Sequence, residues 1–197
     1  MERTPRRQGP TVNRIVLVGG GARSGKSAFA LACARSIGTR RVFIATAQAL
    51  DAEMRMRIDR HRNERGDSFR TIEAPFDLQE AVGELRDVDV VVIDCLTFWI
   101  SNLLMLGEGE GEIVARVKTL ARRLRETAFA SIVVTSEVGM GVVPESALGR
   151  LFRDVVGLAH QHIAESATEI YVALMGCALR LRPPPVAVRE GSFADVR

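Results

Sequence analysis

The sequence predicts a single α/β domain with a mainly parallel sheet and helices on both of its faces. Short runs of valine and isoleucine alternate along the chain with longer amphipathic segments. Strands that are apolar on both sides are typical of a parallel sheet covered by two layers of helices. With 197 residues the chain is long enough for one such domain and its core.

The predicted elements follow one another in a regular order. Apolar runs between polar residues predict strands at 15–18, 41–45, 69–73, 90–94, 131–135 and 169–174. Amphipathic segments predict helices at about 26–37, 51–64, 78–85, 98–106 and 112–127, and one more from Leu148 to Ile163. The folded domain is expected to span 14–182, with the segments 1–13 and 183–197 as tails.

A phosphate-binding loop lies directly after the first predicted strand. The residues Gly20-Gly21-Ala22-Arg23-Ser24-Gly25-Lys26-Ser27 fit the pattern G-x-x-x-x-G-K-[ST], and a predicted helix begins at its end. In such a loop backbone N–H groups surround the phosphates, Lys26 reaches the β- and γ-phosphates, and the Ser27 hydroxyl ligates Mg²⁺. The sequence therefore predicts a nucleotide-binding domain of the P-loop NTPase class.

A second part of a nucleotide site is predicted at the end of the strand Val90-Val91-Val92-Ile93-Asp94. An acidic residue in this place holds Mg²⁺ in P-loop enzymes, together with the serine of the loop. The alternative is that Asp94 only ends the strand as a turn former. Downstream of a complete phosphate-binding loop, the metal role is favoured.

The helix predicted at 51–64 carries a histidine on its apolar side. Met54, Ile58 and His61 are spaced i, i+4 and i+7, which places them on one inward-facing stripe. Periodicity alone favours a half-buried histidine with a structural role. The alternative is an imidazole that faces the nucleotide, surrounded by arginines, and able to form a covalent intermediate.

The composition is typical of a globular cytoplasmic protein and gives little support for nucleic-acid or membrane binding. The net charge is only +3, and the longest apolar stretch is interrupted by Asp89, Asp94 and Asn102. No signal peptide is predicted. The three cysteines are isolated, which predicts reduced, buried thiols rather than a disulfide or a zinc site.

Four blocks of the sequence together resemble one enzyme family. They are the loop 20–27; Phe43-Ile44-Ala45-Thr46-Ala47 with Asp51-Ala52-Glu53-Met54, Arg57-Ile58 and His61; Asp94-Cys95-Leu96-Thr97 with Asn102-Leu103-Leu104; and Ser136-Glu137-Val138-Gly139-Met140-Gly141-Val142-Val143-Pro144-Glu145. From about residue 14 to 180, the chain resembles the bifunctional adenosylcobinamide kinases and adenosylcobinamide-phosphate guanylyltransferases of cobalamin biosynthesis.

The resemblance implies a RecA-like P-loop fold, a homotrimer and two reactions. ATP or GTP first phosphorylates adenosylcobinamide. A histidine then takes GMP from GTP and passes it to adenosylcobinamide phosphate, which gives adenosylcobinamide-GDP. By its position in the motif, His61 is implied as the guanylylated histidine. Further nucleotide contacts are implied at Ala45, Thr46, Ala47, Arg62, Asn63, Glu64, Arg65, Glu73 and Asp94.

Other classes of P-loop protein fit this sequence less well. A GTPase switch needs an N-K-x-D element to recognise guanine, whereas the chain's other lysine, Lys118, lies in Arg116-Val117-Lys118-Thr119-Leu120. A nucleic-acid motor would need basic stripes and aromatic stacking platforms, and aromatic residues make up only 5% of the chain. A monofunctional small-molecule kinase, which uses Lys26 and Asp94 but needs no nucleophilic histidine, stays open as the alternative.

Overall fold

The computed structural model describes residues 13–189, without the side chains of Arg57, Glu64 and residues 187–189. In chain order the strands are β1 (Ile15–Gly20), β2 (Arg41–Ala45), β3 (Arg70–Glu73), β4 (Val90–Asp94), β5 (Ala130–Val134), β6 (Glu169–Leu174), β7 (Cys177–Arg182) and β8 (Ala187–Arg189). The helices are α1 (Lys26–Ile37), α2 (Ala52–Arg65), α3 (Leu78–Gly83), α4 (Leu96–Met105), α5 (Glu110–Glu126) and α6 (Ala147–Ser166). Each predicted strand and helix is present, with bounds that differ by a few residues at most.

The strands form one eight-stranded sheet in the order β3-β2-β4-β5-β1-β6-β7-β8. The strands from β3 to β6 in this order are parallel, and β7 and β8 join them antiparallel. The central strands β1, β4 and β5 are buried along almost their whole length. The predicted α/β fold with a mainly parallel sheet is thereby confirmed.

Helices cover both faces because alternate residues of a strand point to opposite sides of the sheet. On one face, Val16 and Val18 of β1 pack in a cluster with Phe29 of α1. On the other face, Ile15 and Leu17 belong to a larger cluster that α3, α4, α5 and α6 complete. Burial of each large apolar side chain contributes about 1.5–3 kcal/mol. The two clusters hold the carboxyl ends of the parallel strands together at one edge.

The carboxyl-terminal part of the sheet differs from the prediction. β6 and β7 form a hairpin through Met175 and Gly176, whose φ angles are 52° and 81°. Positive φ at both central residues is the turn geometry that suits a two-residue hairpin. β8 then pairs with β7 inside the segment 183–197 that the sequence predicts to be a tail. Residues 1–12 and 190–197, which belong to the two predicted tails, lie outside the described residues.

The cysteines are free thiols, but the expectation that all three are buried is wrong. Cys95 is buried, Cys33 is half-buried, and Cys177 is exposed at the start of β7. Burial raises the pKa of the Cys95 thiol to about 12, so it stays protonated and unreactive at neutral pH. Among residues 13–189, no helix combines the length and the apolar character needed to span a membrane.

Candidate active site

A cleft of about 390 Å³ opens at the carboxyl edge of the sheet, where the loops after β1, β2, β4 and β5 meet. Nine predicted site residues line it: Lys26, Ser27, Ala45, Ala47, His61, Arg62, Arg65, Glu73 and Asp94. A second cavity, of about 500 Å³, is lined by the phosphate-binding loop from Ala22 to Ser27 and by His61. The two cavities share Lys26, Ser27 and His61.

The phosphate-binding loop depends on glycine at its first position. A Cβ atom on Gly20 would lie 2.5 Å from the carbonyl oxygen of Ala173 and 2.7 Å from the hydroxyl of Ser24. Gly25 has φ 90° and precedes the first residue of α1, a conformation that glycine adopts without strain. The loop can therefore pack against β6 and still turn directly into a helix.

Lys26 and the start of α1 provide positive charge at this loop. The Lys26 side chain is only 9% exposed, and its Nζ donates a hydrogen bond to the Gly21 carbonyl at 3.0 Å. The first turn of α1 contains no acidic residue, so the positive end of the helix dipole is not neutralised from within the helix. A helix N-terminus with a lysine beside it is a site for phosphate groups.

Asp94 lies at the end of β4 with one oxygen that makes no hydrogen bond. Its Oδ2 atom is buried and finds no hydrogen-bond partner within the described part of the chain. A buried carboxylate oxygen without a partner is costly, and a cation would satisfy it. Asp94 and Ser27 line the same cleft, although β5 separates β4 from β1, the strand that precedes the phosphate-binding loop. The pair fits Mg²⁺, which takes few protein ligands and completes its shell with phosphate oxygens and water.

Helix α2 brings His61 to the cleft. The Asp51 side chain caps the helix by accepting a hydrogen bond from the Met54 N–H at 2.7 Å, and Gly66 follows the last turn. Met54, Ile58 and His61 are half-buried and line the cleft, which confirms the predicted inward-facing stripe. His61 also lines the cavity over the phosphate-binding loop, so this residue borders both cavities.

Two arginines of α2 also line the cleft, in different environments. Arg65 is buried, and its guanidinium carbon lies 3.9 Å from the centre of the Phe43 ring, a cation–π distance. Arg62 is exposed and forms a salt bridge of 3.2 Å with Glu73, which is exposed too. Salt bridges between exposed side chains contribute about 0–1 kcal/mol, so an anionic ligand could readily displace Glu73 from Arg62.

Thr46 does not have the position expected of a nucleotide contact. It is fully buried, and its hydroxyl accepts a hydrogen bond from the Cys95 N–H and donates one to the Cys95 carbonyl. Its side chain therefore ties the end of β2 to the end of β4 beneath the cleft. Gly20, Gly21 and Asn63 line neither cavity, and the side chain of Glu64 lies outside the described residues.

Sequence reasoning missed the residues that follow β5. Ser136 lines the cleft, and its N–H donates a hydrogen bond to the Thr97 hydroxyl at 2.6 Å. The Thr97 hydroxyl bonds that of Thr135, which in turn bonds Nε2 of His160 at 2.7 Å. The sequence shows Ser136 only as part of the family-like block 136–145. Nothing in the spacing of α6 predicts that His160 reaches this segment.

The fold has a counterpart among solved structures. The chain is similar to the RadB recombinase with a TM-score of 0.53 and 17% sequence identity, over 89% of this chain and 86% of that chain. At this identity the likeness concerns the fold alone. It confirms the expected RecA-like P-loop fold.

Sequence comparisons identify the family. The chain is 35% identical over 181 residues to the bifunctional adenosylcobalamin biosynthesis protein CobU of Escherichia coli (strain K12), covering 85% of this chain and 99% of that protein. It is 37% identical over 171 residues to the bifunctional adenosylcobalamin biosynthesis protein CobP of Pseudomonas aeruginosa, covering 86% and 98%. Residues 16–181 match the family described as CobU: cobinamide kinase / cobinamide phosphate guanyltransferase. With a phosphate-binding loop, an acidic strand end and a histidine in one cleft, this chain belongs to that family of cobalamin biosynthesis enzymes.

Proposed function

We propose that the chain phosphorylates adenosylcobinamide with ATP or GTP and then transfers GMP from GTP to that phosphate through a guanylylated His61. The observation that carries the proposal is the position of His61 between two cavities that both contain Lys26 and Ser27. A triphosphate held by the loop would extend from Lys26 into the space that His61 borders. The imidazole is thereby available to a phosphorus atom of the bound nucleotide.

In the kinase reaction, a hydroxyl oxygen of the corrinoid side chain attacks the γ-phosphorus and ADP or GDP leaves with the bond electrons. Lys26 and the N–H groups at the start of α1 are placed to stabilise the charge on the transferred group. Mg²⁺, held by Ser27 and Asp94, would neutralise charge on the phosphate oxygens. The hydroxyl proton passes to solvent or to the leaving phosphate.

In the guanylyltransferase reaction, a ring nitrogen of His61 attacks the α-phosphorus of GTP and the bond to the β-phosphate oxygen breaks. Pyrophosphate leaves with the electron pair, and the imidazole releases its proton to solvent. An oxygen of the corrinoid phosphate then attacks the same phosphorus, and the N–P bond breaks with its electron pair returned to the imidazole, which takes up a proton from solvent. The covalent step divides one difficult transfer into two easier ones. Arg62 and Arg65 line the cleft, which supports a role for them in binding the phosphates through charge-assisted hydrogen bonds.

Labelling with α-phosphate-labelled GTP tests this proposal. After incubation with Mg²⁺ and denaturation, the wild type should keep about one GMP per active chain, released by acid and stable in base, as expected of an N–P bond. His61→Ala should not be labelled and should keep kinase activity. His162→Ala, which changes a histidine on α6 that lines neither cavity, is the matched control and should be labelled normally. Full labelling of His61→Ala would exclude His61, and an unlabelled but kinase-active wild type would identify a monofunctional kinase.

We also propose that the chain forms a homotrimer in the cytoplasm, where both nucleotide substrates are found. Exposed apolar side chains support an assembly: Met140 is 90% exposed and Val142 is 95% exposed, on the loop between β5 and α6. Such a patch is usually covered by another protein surface. Sedimentation analysis of the wild type and of a Met140→Ser/Val142→Ser variant would test the homotrimer. Cell fractionation would test the cytoplasmic location.

A further inference from the structure

A series of hydrogen bonds connects Ser136 in the wall of the cleft with the side chain of His160 on helix α6. It runs from the Ser136 N–H to the Thr97 hydroxyl at 2.6 Å, to the Thr135 hydroxyl at 3.1 Å, and to Nε2 of His160 at 2.7 Å. At its far end, Nδ1 of His160 lies 3.8 Å from a carboxylate oxygen of Glu137. Residues from α4, α6 and the segment after β5 are thus joined through side chains.

The chemistry of these groups indicates the direction of the bonds. A neutral imidazole with its proton on Nδ1 turns that proton toward the Glu137 carboxylate and leaves Nε2 to accept from Thr135. The opposite tautomer would turn a lone pair toward the carboxylate. Burial lowers the pKa of His160, although Glu137 acts to raise it, so the neutral form prevails at neutral pH. Thr135 then accepts from the Thr97 hydroxyl, and Thr97 accepts from the Ser136 N–H.

The segment after β5, which these hydrogen bonds hold in place, also contacts the phosphate-binding loop. The N–H of Glu137 donates a hydrogen bond to the Gly20 carbonyl at 3.0 Å, and one Glu137 carboxylate oxygen accepts from the Gly139 N–H. Ser136 lines the same cleft as Lys26 and Asp94. The position of Ser136 thus depends on Gly20 on one side and on His160, through Thr135 and Thr97, on the other.

His160 itself does not line the cleft or the cavity over the loop, and Thr135 is only 2% exposed. Neither residue therefore belongs to the walls of the two cavities, in spite of the arrangement of carboxylate, imidazole and hydroxyl. We propose that His160 is a positioning residue for phosphoryl transfer, which holds the Ser136 wall of the cleft in place through Thr135 and Thr97. This inference requires the family's kinase activity and none of the steps assigned to His61.

The expected effect is on turnover rather than on nucleotide binding. The groups proposed to hold the nucleotide are Lys26, the loop glycines and the N-terminus of α1, and the hydrogen-bond chain from Ser136 to His160 includes none of them. A shift of about 1 Å in a wall of an active site can reduce the rate about 10²-fold. We therefore expect His160→Phe to lower kcat for ATP-dependent phosphorylation of adenosylcobinamide about 10–100-fold. The dissociation constant for ATP should stay within about threefold, since the binding groups are unchanged.

Two further variants test the hydrogen bond itself. In His160→Gln, the amide oxygen can accept from Thr135 where Nε2 does, so kcat should recover to within about threefold of the wild type. Thr135→Val keeps the shape of the side chain but removes its hydroxyl, and it should reproduce the defect of His160→Phe. Because His160→Phe and Thr135→Val interrupt the same series of hydrogen bonds, kcat of the double variant should be no lower than that of the slower single variant.

His162→Phe is the matched control on the same helix. Nδ1 of His162 lies 3.7 Å from Glu165, a local pair on α6, so this variant should keep wild-type kcat. The proposal is overturned if His160→Phe keeps kcat within twofold, if His160→Gln is equally impaired, or if ATP affinity falls as much as kcat. It also fails if the wild type has no kinase activity. Should His160→Phe not fold, a wild-type kcat in folded Thr135→Val would overturn it equally.

Discussion

At the scale of single residues, the site rests on a lysine at the start of helix α1 and an aspartate at the end of strand β4. Lys26 is nearly buried and anchored to Gly21, so its ammonium group is held at the loop before any nucleotide binds. Asp94 has a buried oxygen without a hydrogen-bond partner in the described part of the chain. Both observations support the proposed ligand, a nucleotide phosphate group with its Mg²⁺.

Replacement of Lys26 by alanine should abolish phosphoryl transfer. Loss of a single group that stabilises transition-state charge typically reduces the rate about 10²–10³-fold, and nucleotide affinity should fall too because the ammonium also binds the ground state. Steady-state kinetics and nucleotide titration measure both quantities. Lys118→Ala is the control, since Lys118 is exposed on α5 and lines neither cavity. Turnover of Lys26→Ala within a few-fold of the wild type would contradict the site.

Replacement of Asp94 by asparagine should raise the Mg²⁺ concentration needed for half-maximal activity. The amide keeps the shape of the side chain but lacks the charge that attracts a divalent cation. The measurement is a Mg²⁺ titration at fixed ATP. Asp87→Asn, which changes an exposed aspartate outside the cleft, should leave the titration unchanged. An unaltered titration of Asp94→Asn would show that the carboxylate does not bind the metal.

At the scale of elements, α2 differs from the other long helices because it contributes little to the core. Most of its described side chains are exposed, and only Arg65 is buried. Helices without a packed face depend on their caps, because short helices are marginal in water on their own. The element that carries His61 is therefore less stable than the sheet beneath it.

Removal of the α2 cap should loosen this helix and leave the rest of the fold intact. Asp51→Ala removes the acceptor for the Met54 N–H, and loss of such a cap costs about 1 kcal/mol. Amide hydrogen exchange within α2 should accelerate about fivefold, while the melting temperature stays nearly constant.

The matched control is the cap of a packed helix. Ser146 accepts a hydrogen bond from the Gly149 N–H at the start of α6, whose apolar face lies in the core. Ser146→Ala should lower the melting temperature by about 2–4 °C without changing exchange in α2. If Asp51→Ala lowers the melting temperature as much as Ser146→Ala does, α2 is part of the main cooperative unit.

At the scale of the whole molecule, the carboxyl ends and the amino ends of the parallel strands have different roles. The carboxyl edge carries the cleft, whereas the opposite edge is held by polar contacts between neighbouring strands. There Asp89 accepts hydrogen bonds from the N–H groups of Thr39 and Arg40 and from the Arg40 guanidinium. These bonds join the start of β2 to the start of β4.

The Asp89 contact should give the fold a defined acid dependence. Hydrogen bonds from Arg40 lower the pKa of Asp89 from 3.8 to about 2. Because the pKa is lowered in the folded state, the contribution of Asp89 to the free energy of unfolding is complete above pH 3.8. This contribution is lost as the pH falls toward 2. Asp89→Asn should therefore melt at a lower temperature than the wild type at pH 7, and the difference should shrink between pH 4 and 2.

Thermal unfolding of both proteins across this pH range measures the effect. Kinase activity of Asp89→Asn at neutral pH should equal that of the wild type, because Asp89 does not line the cleft. A difference in melting temperature that is constant from pH 7 to pH 2 would show that the Asp89 charge is not responsible.

The sequence by itself determined what depends on neighbouring residues. The loop 20–27, the strand that ends at Asp94 and the stripe from Met54 to His61 are short patterns with local physical causes, and the structure has each of them as predicted. The parallel sheet also followed from the sequence, because strands without a polar side can only be buried.

Tertiary structure decided what depends on residues far apart in the chain. The sequence does not show that the buried Thr46 hydroxyl is hydrogen-bonded to Cys95. It also does not show the hydrogen bonds that link His160 through Thr135 to Thr97. The hairpin of β6 and β7 was missed because its turn, Met175-Gly176, lacks the Asn-Gly or Asp-Gly pair that marks such turns. Periodicity shows which side of an element is apolar, whereas the partner of a polar group is fixed only when distant elements pack together.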